Sequence, residues 1–233
     1  MSDQVERASA FVPALRFRCL TWLYDRVIGP TTRERTVKAV IVAHARLGAG
    51  ASALDVGAGT GTLAMMLKRS QPDATVVGID GDPRILAIAR RKSLSANTLV
   101  TWMEAMAQRL PFERNQFDCV VTSLLLHHLD DTAKAGALVE MRRVLRPGGT
   151  LVVADWDQPR GPLMHAAFLL VRLLDGWANT RVHAAGQLAL TIARAGFANV
   201  AAVAHFNTCC GTLTVFTATN PAAGGGPNPN GEL

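Results

Sequence analysis

Glycines recur at alternate positions in Gly57-Ala58-Gly59-Thr60-Gly61, directly after an apolar run that ends in Leu54-Asp55-Val56. Alternate glycines let a backbone turn sharply and approach a ligand where any Cβ would collide. A helix starting there presents unpaired N–H groups. About twenty residues on, Val76-Val77-Gly78-Ile79-Asp80 ends a second apolar run with a carboxylate, the position that grips ribose hydroxyls in dinucleotide or nucleoside sites. A glycine-rich loop alone is a weak signal; joined to an acidic residue at this spacing it is strong. The dinucleotide fingerprint is GxGxxG, whereas this chain has GxGxG with Thr62 where the last glycine would fall. A second cluster, His127-His128 followed by Asp130-Asp131, invites a metal or an acid–base reading. Adjacent residues on a helix point about 100° apart, so no face gathers both imidazoles as HxxxH does, and no metal is expected. Two roles stay open for His127 and His128: local packing beside the glycine loop, or proton transfer.

These residues need a scaffold, and the chain supplies one. Ala51–Val56, Thr75–Ile79, Thr98–Met103, Phe117–Ser123 and Thr150–Asp155 read as strands, rich in Val, Leu and Ile. Leu63–Arg69, Pro83–Ser95 and Thr132–Leu145 read as helices between them, the last stopped by Pro147-Gly148-Gly149. Alternating β and α with near-continuous apolar strands predicts an α/β fold with a parallel, doubly wound sheet. A helix around Ala184–Ala195 precedes two more strands, Val200–His205 and Leu213–Ala218. The link between these, Phe206–Thr212, is too short for a crossover and predicts an antiparallel hairpin. Ala14–Ile28 and Thr32–Arg46 read as two helices of a cap over residues 1–46, with the main domain over 47–220. The tail over 221–233 is rich in Gly, Pro and Asn and is expected to be disordered.

Composition narrows the classes. The chain has 233 residues, 49% hydrophobic and 18% charged, which excludes a disordered or fibrous protein. Its longest apolar stretch, Leu163–Leu174, is interrupted by Arg172 and falls short of a membrane span. Without the short apolar core of a signal peptide at the N-terminus, a cytoplasmic location is expected, and Cys19, Cys119, Cys209 and Cys210 read as buried, reduced thiols. The net charge of +6 divides as +4 over residues 1–46, zero over 47–157 and +2 over 158–233. Scattered basic residues and only 6% aromatics disfavour nucleic acid as a partner. An anionic substrate or peripheral contact with an anionic membrane stays open.

The GxGxG loop with Asp55 two positions before it resembles motif I of class I S-adenosylmethionine (SAM)-dependent methyltransferases. The resemblance continues through Asp80, Ala107-Gln108-Arg109-Leu110-Pro111-Phe112 and Phe117-Asp118-Cys119-Val120-Val121. It extends to Leu126-His127-His128-Leu129 and to Glu140–Gly149. The chain is similar to the ubiquinone/menaquinone-biosynthesis-type (methyltransferase domain 11) group, over about residues 50–155. It implies a Rossmann-like sheet of seven strands, the last antiparallel, with an N-terminal helical cap. It also implies SAM as cofactor, S-adenosylhomocysteine as product, and no metal. Asp55 would anchor the loop, and Gly57, Ala58, Gly59 and Gly61 would pass beneath the methionine and ribose. Asp80 would bind the ribose diol, with Gly81 and Asp82 beside the adenine. The backbone at Ala107 would face the adenine edge, Ser123 would sit near the amino-acid part, and Tyr24 with Asp25 would lie over the methionine end.

One departure from the family stands out. The usual adenine-binding Asp falls on Met106, which can stack on the base but cannot accept its amino proton; Glu104 is two positions out of register. The insertion over 158–182 is expected to cover the substrate with an apolar face of Leu163, Ala166, Ala167, Leu170, Val171 and Leu174. His165, Arg172, Asp175 and Asn179 are its polar candidates, and Asp155 ends the fifth strand toward the same crevice.

Methyl transfer from a sulfonium is an in-line displacement that destroys a positive charge. Alignment and water exclusion do most of the work, and a base is needed only where the nucleophile holds its proton near neutrality. The expected activity is methylation of a small, fairly apolar acceptor: a quinone precursor, a lipid or a secondary metabolite. A phospholipid-amine N-methyltransferase and a non-catalytic SAM-binding module are the alternatives, and the apolar caps permit a homodimer. An NAD-dependent oxidoreductase is disfavoured by the loop spacing, and no Asn/Asp-Pro-Pro-aromatic motif of nucleic-acid amino-methyltransferases follows the fourth strand. If the caps form the substrate chamber, the surplus charge there concerns acceptor encounter, through Arg16, Arg18 and Arg172.

Overall fold

The computed structural model describes residues 34–222. In chain order the elements are α1 (Glu34–Ala45), β1 (Ser52–Val56), α2 (Thr62–Ser70), β2 (Thr75–Asp80), α3 (Pro83–Ser95), β3 (Thr101–Glu104) and β4 (Phe117–Ser123). A 3-10 turn (Leu126–His128) leads to α4 (Asp131–Val144), β5 (Leu145–Trp156), α5 (Pro162–Asp175), α6 (Arg181–Ala184), α7 (Leu188–Arg194), β6 (Ala198–Thr208) and β7 (Gly211–Thr219). Helix starts follow local chemistry. Asp82 caps α3 by accepting from Arg84 N at 2.8 Å with Pro83 in the first turn, and Asp130 caps α4 by accepting from Ala133 N at 2.8 Å.

The strands form one seven-stranded sheet in the order β3-β2-β1-β4-β5-β7-β6. Pairings from β3 to β5 are parallel, and β7 runs antiparallel to both β5 and β6. The chain winds outward from β1 through β2 to β3, then returns across β1 to start β4. That reversal opens a crevice beyond the strand ends between β1 and β4, where open α/β sheets bind ligands. Side chains alternate across each strand and so feed two cores. Leu54, Val56, Val120, Leu151 and Val153 pack under α4 and α7; Ala53, Val121, Val152 and Ala154 pack under α1, α2 and α5.

The predicted strands and helices of the middle of the chain are present, but β3 begins at Thr101 instead of Thr98. The reason is that Thr98 closes the end of α3, donating to Ser93 O at 2.9 Å and Ala96 O at 3.1 Å. Three further differences are local. β5 begins at Leu145 instead of Thr150, because Asn220 ties down the Pro-Gly-Gly stretch: its Nδ2 donates to Leu145 O at 2.6 Å and its backbone exchanges bonds with Gly148 and Gly149. The helix expected around Ala184–Ala195 is broken in two at Gly186, which takes φ +67° against Gln158. The buried face of α5 is Phe168 and Val171, while Leu163 is 75% exposed and Ala166 is also exposed; the apolar stripe is wider than its contact with β7. Cys119 and Cys210 are buried, but Cys209 is exposed, because it occupies the hairpin turn. The expected helix Ala14–Ile28, Tyr24, Arg16, Arg18 and Cys19 lie outside the described residues, as does the tail beyond residue 222. Among the described residues no helix is long and apolar enough to cross a membrane.

Candidate functional site

The glycine loop crosses the strand ends at the reversal. Gly57, Gly59 and Gly61 have φ of +73°, +55° and +79°, a region that side chains with a Cβ seldom enter. A Cβ on Gly57 would stand 3.0 Å from Leu125, and one on Gly61 would stand 2.4 Å from the Trp102 ring. A Cβ on Gly59 would meet nothing within 4 Å. Two of the glycines therefore make room for protein, and Gly59 faces open space. Ala58 N donates to Ile79 O at 2.8 Å, tying the loop to the end of β2.

Asp80, at the tip of β2, accepts from Gly59 N at 2.9 Å through Oδ2 and from Asp82 N at 3.0 Å through Oδ1. It thus joins loop and β2–α3 turn, with Gly81 between. Asp55 lies behind the loop, 1% exposed, and a backbone N–H of Ala64 in α2 reaches it. Burial pushes its carboxyl up to about 7, against the pull of Lys38. Its Oδ2 has no hydrogen-bond partner, and neither has the buried Thr122 Oγ1 one strand over, where Val56 pairs with Thr122. Ser123, half-buried, ends β4 beside Thr122.

After β3, Ala105 N donates to Asp80 O at 3.1 Å, which brings the following loop to the same end of the sheet. Met106 is 42% exposed and Ala107 is buried. Glu104 is exposed and pairs in register with Asp80. Glu140 and Arg143 of α4 clamp this loop. Glu140 Oε2 accepts from Leu110 N at 2.8 Å, and Arg143 donates to Leu110 O at 2.9 Å and Phe112 O at 2.7 Å. Their mutual ion pair holds Glu140 below the ordinary carboxylate range.

Beyond Leu125 the chain enters a buried polar cluster. Asp155, fully buried at the end of β5, accepts from Leu126 N at 2.7 Å and lies 2.7 Å from His127 Nδ1. Burial opposes its charge, yet the His127 imidazole and the Trp156 N–H outweigh burial and hold it well below the ordinary range. His128, half-buried, stacks on His127 with ring centroids 3.9 Å apart. His183 of α6 completes the group: Nδ1 donates to Trp156 O at 2.7 Å, and burial pushes the imidazole down to about 4, so it is neutral at physiological pH. Lys134 Nζ donates to Asn179 O at 3.0 Å, and Asn179 Nδ2 donates to His128 O at 3.3 Å. Burial lowers the Lys134 ammonium as well.

The structure thus brings together Asp55, the glycines, Asp80 and Ser123, and beside them His127, His128 and Asn179. His165 is exposed on α5 and bonded to its own helix at Gly161 O, 2.9 Å away. Arg172 stacks over the Trp177 ring at 3.8 Å. Sequence reasoning missed His183 and Lys134. Both sit in segments legible only as helix, and their partners are 27 and 45 residues away. Among the described residues no three of His, Cys, Asp and Glu gather as metal ligands would.

A nucleoside with a charged amino-acid end fits this crevice. The orphaned buried atoms Asp55 Oδ2 and Thr122 Oγ1 lie at its floor, Gly59 leaves room above the loop, and Asp80 offers a carboxylate at the rim. Residues 53–149 match the family model described as a methyltransferase domain. The sequence is 46% identical over 106 residues to a demethylmenaquinone methyltransferase of Thermus thermophilus, covering 46% of this chain and 47% of that protein. It is 38% identical over 123 residues to the ubiquinone/menaquinone biosynthesis C-methyltransferase UbiE of Hahella chejuensis, covering 52% and 49%. The matched stretch spans about half the length of these relatives. The YcgJ protein of Bacillus subtilis shares the fold, with a TM-score of 0.65 at 16% identity over 81% of this chain and 100% of that one.

Proposed function

We propose that the protein moves a methyl group from SAM to a small, fairly apolar acceptor of the quinone-precursor type. The observation that carries this reading is the Asp80–Gly59 contact across a loop of three positive-φ glycines, within the residues 53–149 that match a methyltransferase family model. Bound there, SAM supplies an electrophilic methyl on a positively charged sulfur. Asp80 would hold the ribose hydroxyls, the loop backbone would face the methionine, and Ala107 and Met106 would stand on the adenine side. The Glu140–Arg143 clamp keeps that side in place.

A quinone-precursor carbon becomes nucleophilic when an attached ring hydroxyl gives up its proton. His128 is the residue suited to receive that proton. His127 stacks against it, fixed by the ionised Asp155, which favours an added positive charge nearby. Residues of α5, with Arg172 in its last turn and Asn179 in the turn that follows, exclude water from the acceptor. A phospholipid-amine acceptor is the second reading from sequence; the relatives named quinone-biosynthesis methyltransferases favour the first.

Incubating the protein with methyl-labelled SAM and fractionated lipid and metabolite extracts tests this reading. Label should enter a quinone-precursor fraction and disappear with Asp80→Ala. Label in a phosphoamine lipid instead, or transfer that survives Asp80→Ala, would overturn it.

A further inference from the structure

The turn between β6 and β7 carries two adjacent cysteines that the methyl-transfer site does not use. Cys209 is exposed, Cys210 is buried, and their sulfurs are in contact at 3.4 Å. The turn is held in this shape by Thr208, whose Oγ1 donates to Gly211 O at 2.9 Å and accepts from Cys210 N at 3.1 Å. One sulfur is thus open to solvent, and the other is fixed within reach of whatever forms on it.

The geometry points to Cys209 and Cys210 as a site of reversible oxidation, at which a hydroperoxide closes the pair into a vicinal disulfide. The Cys209 sulfur attacks the peroxide oxygen, the O–O bond breaks, and an alcohol or water leaves with a proton, giving a sulfenic acid. The Cys210 sulfur then attacks that sulfur; the S–O bond breaks, water leaves, and the thiol proton departs with it. Two thiols and one hydroperoxide become one disulfide, one alcohol or water, and one water. Burial pushes the Cys210 thiol up to about 12, so the exposed Cys209 is the sulfur that meets the oxidant first. Adjacent Cα atoms lie only about 3.8 Å apart across a trans peptide, shorter than the roughly 4.4–6.8 Å usual for disulfides. A ring closed at that spacing is strained and readily reduced, as labile and regulatory disulfides are.

Closure would be felt by α5, which packs on β7. A Cβ on Gly211 would stand 2.9 Å from the buried Phe168 of α5, and Cys210 belongs to the same apolar cluster as Phe168 and Val171. The next residue, Thr212, holds the root of that helix. Its O accepts from Asp157 N at 3.0 Å and its Oγ1 accepts from Arg160 N at 3.2 Å, just before Pro162. A backbone shift at Cys210–Gly211 therefore presses on both the inner face and the start of α5.

The test uses the full chain carrying Cys19→Ser, treated with a small excess of hydrogen peroxide, then alkylated and digested. The expected peptide holds Cys209 and Cys210 joined, lighter by two hydrogens and without alkyl label, and dithiothreitol restores both thiols. Hydrogen exchange over residues 162–175 should rise several-fold in the oxidised protein and return on reduction. Cys209→Ser, shown folded by its thermal melt, should give neither change. A Cys209 that gains two oxygens while Cys210 stays alkylatable overturns the proposal, and so does a disulfide joining two chains. The peptide mass is independent of methyl transfer, so it reads the cysteine pair whatever the acceptor.

Discussion

Asp55 shows how one buried carboxylate can serve a binding loop. It lies behind Gly57–Gly61 with one oxygen unpartnered, and burial raises it to about 7. In the unfolded chain the same group ionises near the usual carboxylate value of 3.8. Between those values the native state holds a proton that the unfolded state has lost, so stability falls as pH rises from about 4 to about 7 and then levels. Asp55→Asn cannot titrate. Its melting temperature relative to the wild type should therefore rise between pH 5 and pH 8 by several degrees, the whole effect amounting to a few kcal/mol at most. A difference that does not change with pH would place the Asp55 pKa elsewhere. His183 acts at the other end of the scale. It refuses a proton down to about 4 where the unfolded imidazole accepts one near 6.5, so stability is lost as pH falls through that window.

Among the elements, the glycine loop and the loop after β3 carry the site, and each has a separable test. Gly59→Ala places a methyl in open space at a positive φ, a cost of about 1–2 kcal/mol. The fold should survive with a melting temperature a few degrees lower, while SAM affinity drops at least tenfold. Gly61→Ala drives its methyl into Trp102 and Ala89 and should lose far more stability. Equal SAM binding by Gly59→Ala and the wild type would mean that the ligand does not lie over the loop. Arg143→Ala removes two charged hydrogen bonds to Leu110 and Phe112, each worth about 1.5–3 kcal/mol. It should speed hydrogen exchange over residues 107–112 and weaken SAM binding several-fold. The loop and Asp80 were legible in the sequence because their chemistry is local: glycine spacing and a carboxylate at a strand end. The Glu140–Arg143 clamp was not, since it joins α4 to a loop about 30 residues earlier and each half reads alone as a surface charge. His183 was hidden for the same reason. Its role comes from packing on β5, which no periodicity encodes. The break at Gly186 was equally invisible, because a lone glycine in a helical pattern is often tolerated.

At the scale of the whole molecule, counting charge by segment and placing it in space give different pictures. Residues 47–157 are neutral in sum. Yet α2 carries Lys68 and Arg69, and α3 carries Arg84, Arg90, Arg91 and Lys92, with no acidic residue on either helix. Five of the twelve acids of the same stretch, Asp55, Asp80, Asp130, Asp131 and Asp155, lie toward the ends of β1, β2 and β5 or at the start of α4. The Asp80 carboxylate at this edge suits a positively charged sulfonium ligand. Isothermal titration calorimetry with SAM, S-adenosylhomocysteine and NAD, on the wild type and Asp80→Ala, tests that assignment most directly. Both sulfur nucleosides should bind the wild type, NAD should not, and Asp80→Ala should weaken both about 10–100-fold, as expected for losing a charged hydrogen-bonding partner. Binding of NAD with no heat from either sulfur nucleoside would contradict the assignment, as would SAM binding that Asp80→Ala leaves unchanged.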